Sequence, residues 1–451
     1  MRPILLDAAA RANRYLEELE TRSVAPSSES VNRLLDLGGP LPQHPTDPEG
    51  VLAALDAIGS PATVASAGGR YFGFVIGGSL PAALAANWLA GAWDQNAGLW
   101  VSSPTSAVLE EIALRWLIDV LHLPGQSEGA FVTGTTMANF SALAAARHAI
   151  LARAGWDVEA DGLFGAPPIT VIVGDEAHVS LLKALSLLGL GRDRVVRIPT
   201  DDQGRMRAEA LPPLTDRTIV CAQAGNVNTG AFDPVGKICA AAHDAAAWVH
   251  VDGAFGLWAA ASPALAHLIR GAEDADSWAV DAHKWLNTPY DGGVVFVRDA
   301  GHLTAAMSAS AAYLPQGGRR DPMRYTPEMS RRARGVEIWA ALRSLGRSGL
   351  ADLIERTCRY ARRFSEGLAN AGYPSLNEVV LNQVLVSFGD NDITRLVIDG
   401  IQADGTCWCG GTVWHGRAAM RISVSSWATT EQDIDRSLAA VLRVAARSRR
   451  S

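Results

Sequence analysis

This 451-residue chain lacks most of the features that would place it in a special class. Its five cysteines, Cys221, Cys239, Cys358, Cys407 and Cys409, are odd in number and scattered, which excludes a disulfide framework and points to a reducing setting. Cys407 and Cys409 have no second ligand pair nearby, so no metal site is expected. Positive charge is not in excess: 40 Lys and Arg face 47 Asp and Glu, a net −7, which argues against nucleic acid or an anionic membrane surface as partner. No basic segment followed by an apolar stretch opens the chain, and no apolar run reaches the roughly 18 residues of a membrane span. A soluble, cytoplasmic protein is therefore expected. The hydrophobic content of 48% is enough for a main core and a second domain.

Residues 1–65 read as an arm packing on a neighbouring surface, either a partner subunit or the same chain. Helical spacing from Ile4 to Glu20 gives way to Pro40, Pro42, Pro45 and Pro48, which rule out continuous helix or central strand there. The stretch from Tyr71 to Trp100 is dense in aromatics, which serve either core packing or a substrate pocket. From Ala130 onward short apolar runs alternate with helical segments: Ile169–Val173, Val195–Ile198, Thr218–Ala222, Ala247–Val251, Ser277–Val280 and Val294–Val297. Such alternation predicts an α/β domain, residues 66–325, with a mostly parallel sheet whose post-strand loops gather at one edge. Residues 326–451 read as a smaller α+β domain, closed by a helix with Thr429 and Gln432 as its capping box.

The stretch around which the rest is organised is Ala247 to Leu286. One strand ends in Asp252; after a helix-like segment near Pro263 to Gly271, a second strand leads into Asp281, His283 and Lys284. A charged carboxylate beside a reactive lysine suits pyridoxal 5'-phosphate (PLP): the amine forms a Schiff base with the aldehyde, and the acid keeps the pyridinium nitrogen protonated. Upstream, Gly134, Thr135 and Thr136 open a helix, whose free N–H groups and positive dipole end favour a phosphate, although threonine as an ordinary N-cap explains the same letters. His178, Asn226, Asn228 and Thr229 also follow strands.

The segments DEAHVSLLKA, AGNVNTGAFDP, VHVDGAFG and DAHKW, in that order, resemble the group II PLP-dependent amino-acid decarboxylases, the aromatic-amino-acid, tyrosine and glutamate decarboxylase type. The resemblance implies fold type I, the aspartate-aminotransferase-like fold, and a homodimer with interface active sites. It implies Lys284 as the Schiff-base lysine, Asp252 as the pyridinium partner and His178 as the ring-stacking histidine, unless His178 merely closes a strand end. Gly134, Thr135, Thr136 and His283 match phosphate contacts, and Ala254 the small residue beneath the ring. Asn228 and Thr229 join the cofactor set. Asp281 falls where some members carry Asn, and no phosphate role passes to it, because an acid repels phosphate.

The activity implied is decarboxylation of an L-amino acid, expected to be aromatic, to the amine and CO2. Tyr313 matches the loop tyrosine that protonates the α-carbon, the alternative being a solvent-facing loop residue. Relatives that release an aldehyde carry Phe there. Arg421 reads equally as a substrate-carboxylate ligand or a domain-packing arginine, and Trp100 as a pocket wall. An aminotransferase, a decarboxylating aldehyde synthase and a non-catalytic protein of this fold are the competing readings.

Overall fold

The computed structural model describes residues 2–309 and 318–449. The chain forms two packed units: Gly77–Ala361 with Asn377–Gln383, and Met1–Ile76 with Arg362–Leu376 and Val384–Ser451. These boundaries differ from those at 65/66 and 325/326 read in the sequence, because the N-terminal segment is tied to the C-terminal one. Val24 N–H donates to the Gly405 carbonyl at 2.8 Å, and buried Arg70 donates to the carbonyl of Thr406 as well as to that of Arg22.

The larger unit is built on seven strands: β1 (Glu128–Val132), β2 (Thr170–Gly174), β3 (Val196–Ile198), β4 (Thr218–Gln223), β5 (Trp248–Asp252), β6 (Ser277–Asp281) and β7 (Gly293–Val297), ordered β1-β7-β6-β5-β4-β2-β3. The run β3-β2-β4-β5-β6 is parallel, and β7 is antiparallel to both β6 and β1. This is the mostly parallel α/β sheet expected. β5 and β6 are buried at every position, as strands covered on both faces must be, which is why they read as nearly unbroken apolar runs. The helix Thr135–Arg153 packs on β5, β6 and β7. Its buried side includes Ala138, Ala142, Ala145, Ala146 and Ala149, small residues that let a helix lie close to a sheet. That closeness carries the helix's first turn to the ends of the strands.

Two local readings change. Between β5 and β6 the structure has short 3-10 turns, Gly256–Ala261, Ala266–Ile269 and Ala272–Asp274, instead of a helix near 263–271, and Gly271 at φ +88° reverses the backbone. The closing helix, Glu431–Ser448, is capped by Thr430 with Asp433, one residue later than predicted, because the Thr429 hydroxyl donates to the Gly69 carbonyl at 2.8 Å. In the smaller unit β9 (Gly410–Trp414) and β10 (Arg417–Ser423) pair antiparallel, and β8 (Gln383–Val386) lies on the other side of β10. Among the described residues no helix is long and apolar enough to cross a membrane.

Candidate active site

Side chains alternate along a strand, so Trp248, His250 and Asp252 share one face of β5. Asp252, at the carboxyl end, is only 4% exposed. Its Oδ1 accepts the Ala254 N–H at 3.2 Å, and its Oδ2 accepts from Asn139 Nδ2 at 3.0 Å. The Ala254 carbonyl in turn accepts the Asp281 N–H at 2.8 Å. One small residue thus joins the ends of β5 and β6.

Three residues past Asp281, Lys284 folds back so that its Nζ lies 2.9 Å from Asp281 Oδ2. The other oxygen, Oδ1, accepts the Thr135 N–H at 2.7 Å and lies 3.6 Å from His283 Nε2. Burial pushes the Asp281 carboxyl up, but the charges of Lys284 and His283 and the hydrogen bonds from Lys284 and Thr135 outweigh it and hold the group below the ordinary carboxylate range. Burial drives the His283 imidazole down, with Asp281 pulling the other way. His283 Nδ1 accepts the Gly292 N–H at 3.3 Å, and its ring stacks on Tyr290 at 4.3 Å.

The start of the helix Thr135–Arg153 fits a phosphate. Thr135 is 5% exposed, yet its Oγ1 has no hydrogen-bond partner among the described residues. The helix is 19 residues long, with its dipole's positive end at this point. Gly134 keeps this approach close, since a Cβ there would press on His283 Cε1 at 3.1 Å and meet Asp281 Oδ1 at 3.4 Å. Asp281 itself engages Lys284 and the Thr135 N–H, consistent with withholding a phosphate role from it.

His178 caps the helix Val179–Leu187, accepting the Ser180 N–H at Nδ1 and lying 2.7 Å from Ser180 Oγ. It lines a small cavity together with Leu181, Cys221, Ala222 and Asp252, so the structure brings it to the acid. Thr229 is 1% exposed and its hydroxyl donates to the Gln203 carbonyl at 2.7 Å; the Asn228 N–H donates to Asn226 Oδ1 at 2.8 Å. These two therefore shape the turn after β4. Trp100, in the same unit, donates its backbone N–H to Asp321 Oδ1 at 2.9 Å, with the Arg319 guanidinium 5.0 Å from its ring. Arg421 belongs to the other unit, its guanidinium 6.0 Å from the Phe74 ring. Tyr313 lies outside the described residues. Sequence reading missed Asn139, His250 and the pairing of Asp281 with Lys284. The signals were present: His250 stands two before Asp252 on one strand face, and Asn139 four after Thr135 on one helix face.

A parallel sheet delivering an acid and a lysine to adjacent strand ends, beside an anion-ready helix start, defines a PLP enzyme of fold type I. The family model described as the pyridoxal-dependent decarboxylase conserved domain matches residues 41–389, and the chain belongs to that family. It is an amino-acid decarboxylase with PLP as its cofactor. It is 29% identical over 398 residues to tryptophan decarboxylase 1 of Oryza sativa subsp. japonica, covering 79% of this chain and 76% of that protein. To L-2,4-diaminobutyrate decarboxylase of Rhizobium meliloti it is 30% identical over 448 residues, covering 92% and 86%. The structure of Oryza sativa TDC with PLP and tryptamine superposes with a TM-score of 0.92 at 24% identity, covering 99% of this chain and 97% of that one. Mouse CSAD gives 0.90 at 23%, covering 98% of each. These structures share the fold.

Proposed function

We propose that this enzyme decarboxylates an aromatic L-amino acid to the corresponding amine and CO2. The observation that carries the reading is the Asp252, Lys284 and Asp281 constellation at the ends of β5 and β6. PLP supplies an electron sink for the pair left on the α-carbon when the bond to the carboxylate breaks. Lys284 would hold it covalently, Asp252 would face its ring nitrogen, and Thr135, Thr136 and His283 would hold its phosphate. Ala254 would leave room beneath the ring, and His178 would cover it. Asp281 Oδ2, 2.9 Å from Nζ, keeps the Lys284 amine in place. Tyr313 would return a proton to the α-carbon.

An aromatic substrate is supported by the relatives named tryptophan and tyrosine decarboxylase. The 30% identity to a diaminobutyrate decarboxylase favours a second reading, a diamino acid, which an assay of CO2 release distinguishes. Exposed apolar side chains along the N-terminal segment, among them Leu5, Leu6, Leu35, Leu41 and Leu55, support a homodimer formed by that arm. The odd number and scatter of the cysteines support a cytoplasmic setting.

Incubated with the common amino acids and DOPA, the purified enzyme is expected to release CO2 fastest from an aromatic one. Release of keto acid without CO2 would mark an aminotransferase instead. Tyr313→Phe is expected to keep the cofactor's absorbance and divert product from amine to aldehyde; an unchanged amine yield would remove Tyr313 from the proton-donor role.

A further inference from the structure

Asp252 is the outer end of a buried chain of hydrogen bonds. Asn139 Nδ2 donates to Asp252 Oδ2 at 3.0 Å, and Asn139 Oδ1 lies 2.9 Å from His250 Nε2. His250 Nδ1 lies 2.9 Å from Ser277 Oγ, which accepts from Trp248 Nε1 at 2.9 Å. Asn139, His250 and Ser277 are each 0% exposed.

The direction of every link follows from its ends. A carboxylate only accepts, so Asn139 must present its amide N–H and turn its oxygen toward His250. Nε2 of His250 therefore carries the hydrogen. An indole N–H only donates, which leaves the Ser277 hydroxyl hydrogen for His250 Nδ1. Burial pushes His250 down to about 4, although Asp252 pulls it upward, so the ring is neutral and Nδ1 is the acceptor. All four donors point toward the acid. The chain delivers hydrogen bonds to Asp252 without bringing a second positive charge, and a charged histidine here would compete with a pyridinium for the same carboxylate.

We propose that Asn139, His250 and Ser277 are positioning residues: a neutral relay that fixes the Asp252 carboxylate and leaves its charge for the ring nitrogen of PLP. This rests on the reading of Asp252 as the pyridinium partner. The helix that carries Asn139 begins at Thr135, so one rigid element references both the phosphate end and the ring-nitrogen end of the site.

The test compares His250→Phe, His250→Gln, Asn139→Asp and the reference Asp252→Asn, each as full-length protein. Three quantities are measured: the PLP dissociation constant by titration of the apoenzyme, kcat and KM for the amino acid, and thermal unfolding. His250→Phe is expected to raise the PLP dissociation constant and lower kcat, each about 10- to 100-fold, with KM within about twofold. His250→Gln is expected to restore most of this, because its amide donates to Asn139 while its oxygen accepts from Ser277. Asn139→Asp, nearly isosteric, is expected to lose at least as much as His250→Phe by setting two acids against each other, and it decides the question if His250→Phe does not fold. Wild-type dissociation constant and kcat in Asn139→Asp or a folded His250→Phe, with Asp252→Asn impaired, would overturn the relay and leave the Asp252 reading standing. A His250→Gln protein as impaired as His250→Phe would also overturn it. If Asp252→Asn itself binds PLP and turns over normally, the underlying reading fails instead.

Discussion

Lys284→Ala is expected to lower kcat by about 10³-fold or more and to abolish the covalent retention of PLP after borohydride reduction. The chain has only three lysines, Lys183, Lys237 and Lys284. The first two are exposed on the helices Val179–Leu187 and Val235–Asp244. Lys284 has its side chain 18% exposed and its Nζ fixed 2.9 Å from Asp281. Gly77 makes the turn possible, since a Cβ there would lie 2.1 Å from the Lys284 carbonyl oxygen. A lysine held by a buried acid at a strand end is preorganised for one position, whereas a surface lysine samples many rotamers. Reduction of the holoenzyme followed by digestion and mass spectrometry should therefore find the label on the peptide containing Lys284. Label on Lys183 or Lys237 with Lys284 unmodified would remove Lys284 from its role.

What was legible in the sequence was whatever rests on local pattern. β5 and β6 announced themselves as short buried runs ending in acids, and Lys284 follows the second at a fixed spacing, so the heart of the site and the mostly parallel sheet could be read together. Partnership across the chain was not legible. Asn139 meets Asp252 across 113 residues and Thr135 meets Asp281 across 146, pairings set by how closely an alanine-faced helix approaches the sheet. Asp281 looked like an acid out of place beside a phosphate; in the structure its charge is balanced by Lys284 and its second oxygen by a backbone N–H. The arm at residues 1–65 was legible as packing on a neighbouring surface, but not on which one, because its ties run to backbone carbonyls, which carry no residue signature. The capping box shifted by one because two adjacent threonines compete for the position, and a long-range bond to Gly69 decides between them.

Asp252→Asn should cost about 10²- to 10³-fold in kcat and weaken PLP binding comparably, the size expected when one partner of a buried charge pair, worth about 3–5 kcal/mol, is removed. Part of the loss is the missing charge, since an amide cannot keep a pyridinium protonated. The rest is propagated through hydrogen-bond polarity. With Ala254 N–H still requiring an acceptor, the new amide nitrogen would face Asn139 Nδ2, donor against donor. If Asn139 turns over, its amide meets the Nε2 hydrogen of His250, and the mismatch moves inward. His250 would then have to change tautomer, giving its hydrogen to Ser277 Oγ, which already accepts from Trp248. Relief is available only by rearranging residues with no exposure to water, which costs more than a surface mismatch of the same kind. Replacement of Asn139 by Asp in the Asp252→Asn background reverses the pair and restores complementary polarity between the two positions. It should therefore recover part of the PLP affinity but little of kcat, because the charge now sits one residue too far from the ring nitrogen. Equal recovery of both would show that charge anywhere in the chain suffices, and that the placement of Asp252 at the end of β5 is not what the chemistry requires.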